Sequence, residues 1–322
     1  MGRKKVTVVG SGHVGATVAQ KIAERELADV VLIDILPGVP QGKALDMAES
    51  GPVERFNMGL MGTNDYADTA GSDMVVITAG LARKPGMSRD DLAAKNAEIV
   101  GGVASQAFRH SPNAMFLVVT NPMDVMTYVT AEVTGLPKPR VFGMGGVLDS
   151  ARFSTFVSRE LNVSVENVHT FVLGGHGDLM LPMARYSTVA GVPLPDLIPA
   201  DRLEAIIQRT RDGGAEIVNL LQSGSAYYAP GAAVAEMVEA VFKDKKKILP
   251  CAAWLTGQYG FEGVYTGVPA KLGAGGVESI FEIPLSPEEK KAFAASVSAV
   301  RDGVGRLGGV LAKLKSTKGQ SA

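Results

Sequence analysis

Short apolar runs of strand length punctuate the first 145 residues. Val6 to Val9, Val30 to Ile33, Asp73 to Thr78 and Met115 to Thr120 are nearly continuous in hydrophobic character. Strands covered on both faces read this way, whereas half-exposed strands alternate. Between the runs the period changes to helical. Val14 to Glu26 puts Val14, Val18 and Ile22 on one face. Gln41 to Glu49 and Arg89 to Phe108 also read as helices, and another follows Pro122. Strands alternating with helices predict an α/β fold, a doubly wound parallel sheet of the Rossmann type.

The pattern changes near residue 145. Val168 to Leu173 and Ala184 to Val189 are predicted strands with no crossover helix between them. Helices are predicted over Arg202 to Arg211, Ala215 to Leu221 and Ala232 to Phe242, with Pro230 suited to the opening of the last. Ile248 to Leu255 and Val277 to Ile283 read as strands. Ser286-Pro287-Glu288-Glu289 opens a C-terminal helix, with a capping serine, a first-turn proline and acids facing the helix dipole. Gly303, Gly305, Gly308 and Gly309 argue against that helix past about Asp302. Lys318 to Ala322 is expected to fray. The division predicted is a Rossmann domain over 1–145 and a C-terminal α+β domain over 146–322.

The chain has 322 residues, 46% hydrophobic and 20% charged, with 32 Lys plus Arg against 33 Asp plus Glu. That balance gives no general attraction to nucleic acid or to a membrane surface. No apolar run reaches the length of a membrane span. Met1-Gly2-Arg3-Lys4-Lys5 leads directly into a strand pattern without a signal segment. Cys251 is the single cysteine, so an intrachain disulfide and a Cys-based metal site are excluded, and a reducing, cytoplasmic setting is expected. No two of the four histidines stand at metal-ligand spacing, so no metal is expected.

Gly10, Gly12 and Gly15 form G-x-G-x-x-G between the first strand and the first helix. Glycine there permits a tight turn, close approach of backbone to a pyrophosphate and close helix–strand packing. The helix N-terminus then offers free N–H groups to phosphate. Asp34 closes the second strand, where an acid accepts hydrogen bonds from a ribose diol and repels a 2′-phosphate. The cofactor predicted is therefore NAD rather than NADP. Ser11, His13 and Val14 fill the turn and count with the glycines as cofactor-binding, His13 chiefly as a structural member.

Further polar groups stand where strands end. Arg83 and Arg89 lie in the Pro-Gly stretch after the third strand, and Asn121 closes the fourth. In a doubly wound sheet those ends face one crevice. Asp149 and Arg152 are three apart on one helical face. His176 stands in Leu173-Gly174-Gly175-His176-Gly177-Asp178, a glycine-rich corner after a strand, and imidazole exchanges a proton near neutral pH. Taken singly, these residues also read as surface arginines, an Asn-Pro turn, a surface ion pair and a histidine filling a turn.

Together, Arg83-Lys-Pro-Gly-Met87 with Arg89, Asp149-Ser-Ala-Arg152 and Gly174-Gly-His176-Gly-Asp178 resemble the lactate/malate dehydrogenase family over essentially the whole chain, and the form with Arg83 resembles the malate-specific members of its lactate-dehydrogenase-like branch. The resemblance implies NAD-dependent, reversible oxidation of (S)-malate to oxaloacetate, a reaction of the tricarboxylic acid cycle. It implies His176 as proton donor and acceptor, oriented by Asp149. It implies that Arg152 clamps the C1 carboxylate, Arg83 the distal carboxylate and Arg89 the reacting carbonyl. Asn121 would contact substrate and cofactor, Asn96 would lie near NAD, and Val119 and Thr120 would add backbone contacts. It further implies a homo-oligomer, a tetramer in preference to a dimer. Ser223 to Gly231 is expected to line the pocket, and Ala226 stands where lactate-specific members carry a hydroxyl. The alternatives are a lactate or broader 2-hydroxy-acid dehydrogenase and a catalytically silent dinucleotide sensor. Arg83 disfavours the first, because a monocarboxylate would leave its charge unpaired. His176, Asp149 and Arg152 together disfavour the second.

Overall fold

β1 (Lys5–Val9) pairs in parallel with two strands, β2 (Asp29–Ile33) on one side and β4 (Met74–Ile77) on the other. The chain runs outward through α1 (His13–Glu24), β2 and α2 (Val39–Glu54) to the edge strand β3 (Leu60–Thr63). It then returns to β4 and proceeds the other way through α3 (Arg89–His110), β5 (Met115–Val118), α4 (Met123–Thr134) and β6 (Val141–Gly143). The order reverses at β1, so a crevice opens at the carboxyl ends of β1 and β4, where such sheets hold ligands. The structure is a computed structural model that describes residues 2–81 and 89–318; Arg83 and the side chain of Arg89 lie outside the described residues.

α5 (Gly146–Leu161) carries the chain to five two-residue strands: β7 (Val168–His169), β8 (Val172–Leu173), β9 (Leu181–Pro182), β10 (Thr188–Val189) and β11 (Val192–Pro193). There follow α6 (Leu194–Leu197), α7 (Ala200–Leu221), α8 (Tyr228–Phe242), β12 (Lys247–Thr256), β13 (Glu262–Gly273), β14 (Gly276–Ile280), α9 (Pro287–Gly305) and α10 (Gly308–Lys318). β12 pairs antiparallel with β6, Ala252 opposite Gly143. The sheet is thus nine-stranded and mixed, in the order β14-β13-β12-β6-β5-β4-β1-β2-β3. One apolar cluster runs through both halves of the chain, from Val6 and Ile77 to Tyr265, Phe293 and Leu307.

Four local expectations are corrected. Val168 to Leu173 is not one strand: β7 pairs with β10, and β8 with β9 in a separate sheet. Between them the Thr170 hydroxyl donates to the Ser150 carbonyl at 2.8 Å, and Val172 N–H donates to the Ser150 hydroxyl at 3.0 Å, so the chain is bound to α5 there. Ala184 to Val189 begins as a 3-10 turn over Ala184–Tyr186 before the short β10. The Ser187 hydroxyl stabilises that turn by donating to the Met183 carbonyl at 2.8 Å. α7 is continuous across Gly213-Gly214, where two helices were expected. Gly213 is packed against Arg152, and a Cβ would stand 3.1 Å from Arg152 Cδ. α9 continues to Gly305, past its expected end, with the Ser286/Glu289 capping box in place. Buried Phe293, Val297 and Val300 hold it to the core, and Gly303 lets it approach Val125. Packing of an apolar face outweighs the roughly 1 kcal/mol a glycine costs a helix.

β13 was not legible, because glycines and a proline interrupt its apolar pattern. One of those glycines is required. Gly267 exchanges two backbone hydrogen bonds with Gly174, at 2.9 and 3.1 Å, and a Cβ on Gly267 would run into the Gly174 carbonyl. That close crossing fastens the turn bearing His176 to the large sheet.

Candidate active site

The cofactor signal folds into a cradle at the end of β1. Gly10 has φ +101°, and a Cβ there would stand 2.8 Å from Ala79 N. A Cβ on Gly15 would collide with the Gly10 carbonyl. Glycine is required at both for steric reasons. Thr78 Oγ1 donates to the Val9 and Gly10 carbonyls at 3.0 and 3.1 Å, which pins the turn to the end of β4. A cavity of about 500 Å³ opens beside the turn, lined by Gly10, Gly12, Asp34, Tyr66, Gly80 and Leu81 among others.

Asp34 stands at that cavity with its carboxylate organised. Oδ2 accepts Ser11 N–H at 2.6 Å and Ser11 Oγ–H at 2.9 Å, and Oδ1 accepts Leu36 N–H at 3.1 Å. Burial works to raise its pKa, and these hydrogen bonds outweigh burial, so the group sits below the usual carboxylate range. It is an anion at neutral pH, suited to a diol and unsuited to a phosphate. Lys43 Nζ donates to the Ser11 carbonyl at 2.6 Å and steadies the same turn. His13 opens α1 and stacks on Tyr227, ring centroids 4.9 Å apart. Through that contact Ser223 to Gly231, which runs from α7 into α8, reaches the cofactor turn; it contributes no wall residue to this cavity or to the one beside His176.

Val119 and Thr120 follow β5, their N–H groups donating to the Ile77 carbonyl at 2.9 and 3.3 Å. A cis peptide joins Asn121 to Pro122. Asn96 is buried, and its amide is engaged by backbone: it accepts Leu81 N–H at 2.8 Å and donates to the Leu81 and Asn121 carbonyls at 3.2 and 2.7 Å. It therefore ties the chain at Gly80-Leu81 to Asn121 rather than presenting a free amide to either cavity.

The second cavity, about 400 Å³, is lined by His176, Asn121, Pro122, Asp90, Asp178 and Arg306 among others. His176 Nδ1 and Asp149 Oδ2 are 2.7 Å apart. A carboxylate only accepts, so Nδ1–H donates and Nε2 is left for a ligand. Asp149 Oδ1 accepts from Arg152 at 3.2 Å, and the Asp149 side chain is 1% exposed. One buried carboxylate thus aligns both the imidazole and the guanidinium. Among the described residues, Arg152 Nε is buried without a hydrogen-bond partner. Burial works to lower the His176 pKa; the Asp149 charge and hydrogen bond, and the Asp124 charge, outweigh it and raise it. Asp149, Arg152, Asn121 and His176 are brought together.

The turn bearing His176 has two holders that sequence reasoning missed. Gly175 N–H donates to Ser296 Oγ at 2.9 Å, and His176 N–H donates to Asp124 Oδ2 at 2.7 Å. In sequence, Asp124 reads as a first-turn acid of the helix after Pro122, and nothing marks Ser296. Among the described residues, no group of three or more His, Cys, Asp or Glu could hold a metal ion.

Two family models match the chain: the NAD-binding domain of lactate/malate dehydrogenases over residues 4–143, and their α/β C-terminal domain over 146–305. A malate dehydrogenase of Desulforudis audaxviator is 60% identical over 301 residues, covering 94% of this chain and 97% of the relative. Among solved structures, a malate dehydrogenase from Salinibacter ruber aligns with TM-score 0.91 at 52% identity, covering 94% of this chain and 97% of that one. A lactate dehydrogenase from Cryptosporidium parvum, solved with lactic acid and nicotinamide adenine dinucleotide, aligns with TM-score 0.92 at 42% identity, covering 95% and 98%.

Proposed function

The chain belongs to the lactate/malate dehydrogenase family, and we propose that it interconverts (S)-malate and oxaloacetate with NAD. The observation that carries the chemistry is the hydrogen-bonded chain Arg152–Asp149–His176, whose His176 end lines the cavity. Cradle and carboxylate fit the cofactor: Gly10 and Gly15 let the turn close against β4 and α1, no described atom stands within 4 Å of where a Cβ on Gly12 would lie beside the cavity, and Asp34 offers an anion to a diol. NAD, when bound, takes up or returns the hydride at C2 of the substrate.

The residues supply the rest. In malate oxidation neutral His176 accepts the hydroxyl proton at Nε2, and anionic Asp149 stabilises the imidazolium formed. In oxaloacetate reduction the imidazolium returns that proton to the developing alkoxide. Arg152 holds the C1 carboxylate in a two-point fork, fixing angle as well as charge. Asn121, which lines the same cavity as His176, is assigned a contact with substrate and cofactor. Arg83 is assigned to the distal carboxylate and Arg89 to the reacting carbonyl, a reading that rests on the resemblance of their stretch to the family. The lactate reading is the less supported, since the relatives at 54–60% identity are malate dehydrogenases. NADH oxidation measured with oxaloacetate and with pyruvate tests the proposal. Oxaloacetate turnover should exceed pyruvate turnover by orders of magnitude, and equal turnover would refute the malate assignment.

The same membership leads us to propose a homo-oligomer, tetramer before dimer. Exposed apolar side chains support it: Leu45 and Val53 on α2, and Val218, Leu220 and Leu221 on α7. Light scattering on the eluted protein decides it, a monomer at micromolar concentration counting against it. Burial pushes the Cys251 thiol up to about 12, so this lone thiol is inert, in keeping with a proposed cytoplasmic setting. Among the described residues no helix is long and apolar enough to cross a membrane.

A further inference from the structure

His176 is served by one carboxylate through its ring and by another through its backbone. Asp149 takes the ring N–H from α5. Asp124 stands in the first turn of α4, 4% exposed, and takes the His176 backbone N–H with Oδ2 at 2.7 Å. Among the described residues its other oxygen, Oδ1, is buried with no hydrogen-bond partner from another residue. An amide side chain could supply the acceptor without the cost of burying a charge, which amounts to several kcal/mol for an ion. An unneutralised carboxylate at such a place calls for a reason beyond holding one N–H.

The geometry points to that reason. We propose that Asp124 is a positioning residue for His176, fixing the backbone that carries the imidazole and facing it with a second negative charge. The inference rests on the proposed dehydrogenase reading. The charged groups that face His176 are Asp149 and Arg152 from α5 and Asp124 from α4; Asp178 follows His176 on its own turn, Asp90 from α3 and Arg306 after α9 line the same cavity, and Arg89 opens α3 with a side chain outside the described residues. Burial pushes the Asp124 carboxyl up to about 6, with the His176 N–H hydrogen bond pulling the other way, so above neutral pH it carries its charge. At the imidazole that charge acts in the same sense as Asp149, favouring the imidazolium, while Arg152 opposes it. Two acids against one arginine hold the proton donor ready for oxaloacetate at a pH where free imidazole is mostly neutral.

The sign of the effect is fixed. Oxaloacetate reduction needs the imidazolium, so kcat/KM falls as pH rises through the His176 titration. Asp124→Asn keeps size and an acceptor and deletes the charge. Its falling limb should move to lower pH by about one unit, the low end of what an opposite charge within ~4–6 Å does. Malate oxidation needs neutral imidazole, so its rising limb should move down by the same amount. The experiment is kcat/KM for both substrates from pH 5 to 10 in the wild type, Asp124→Asn and Asp124→Ser, with NADH binding by fluorescence as a check on the fold. Ser296→Ala is the control: it removes the neighbouring, uncharged clamp on Gly175, and should lower kcat without moving either limb. If Asp124→Asn does not fold, Asp124→Ser gives the same reading. Limbs that move in an Asp124 variant and stay put in Ser296→Ala support the proposal. Limbs that stay put in an active Asp124 variant overturn it, however much kcat falls. A wild type without oxaloacetate turnover overturns this inference together with the reading it rests on, and so is distinguished from a failure of Asp124 alone.

Discussion

Substrate choice is a matter of single residues. Both substrates share the C1 carboxylate, which the proposed reading assigns to Arg152. They differ at the far end, where oxaloacetate has a carboxylate and pyruvate a methyl group. Arg83 is the residue assigned to that end. If Arg83 pairs with the distal carboxylate in a water-poor site, Arg83→Gln leaves a charge desolvated and unpaired, at roughly 3–5 kcal/mol. That corresponds to on the order of 10²–10³-fold or more in kcat/KM for oxaloacetate. Pyruvate should gain or lose nothing. Arg152→Gln should depress both. Measuring kcat/KM for the two substrates in the three proteins separates these roles. Equal losses on both substrates in Arg83→Gln would deny Arg83 the distal carboxylate and remove the main physical support for malate over lactate.

At the scale of elements, what the sequence reveals follows how each element is stabilised. β1, β2, β4 and β5 are covered on both faces, so apart from Lys5, Thr7 and Asp29 their residues are apolar, and their bounds are legible to within two residues. β3 is a half-exposed edge with Gly62 packed against the Pro40 carbonyl, and β6 is three residues long; neither carries enough pattern to be read. The strands β7 to β11 are two-residue pairings, held in part by Ser150 and Thr170 hydroxyl contacts about twenty residues apart in sequence and by the Ser187 hydroxyl bond to Met183. The same division applies to the site. His176, Asn121 and the glycines of the cofactor turn stand where strands end, and Asp149 and Arg152 share a helical face, so chemistry and position coincide in the sequence. Asp124 is hidden because a first-turn acid is already accounted for by the helix dipole. Its second role depends on a contact across 52 residues of chain. Gly213 misleads in the opposite direction: it reads as a helix break, and it is instead the small residue that lets α7 lie against Arg152.

For the molecule as a whole, the pairing of β12 with β6 decides how the two halves stand and fall. The cofactor cradle belongs to the first half, and His176, Asp149 and Arg152 to the second. The halves share one sheet through Ala252 and Gly143 and one apolar cluster. α8 also packs against α1, with Gly231 so close to Thr17 that a Cβ would stand 2.5 Å from Thr17 Cγ2. Domains joined by a small polar interface unfold independently, whereas a shared core couples them. This chain should therefore unfold in a single transition by calorimetry at fixed protein concentration, with calorimetric and van't Hoff enthalpies in agreement. NADH binds at the first half, yet it should raise that whole transition, since ligand at ~100 times its Kd adds about 2.7 kcal/mol to whatever unfolds cooperatively with its site. Fluorescence of Trp254, on β12 in the second half, should report the same NADH-dependent midpoint as calorimetry. Two transitions, with NADH moving one and leaving the Trp254 signal where it was, would mean that the shared sheet does not couple the halves and that the proton relay is held in place by the second half alone.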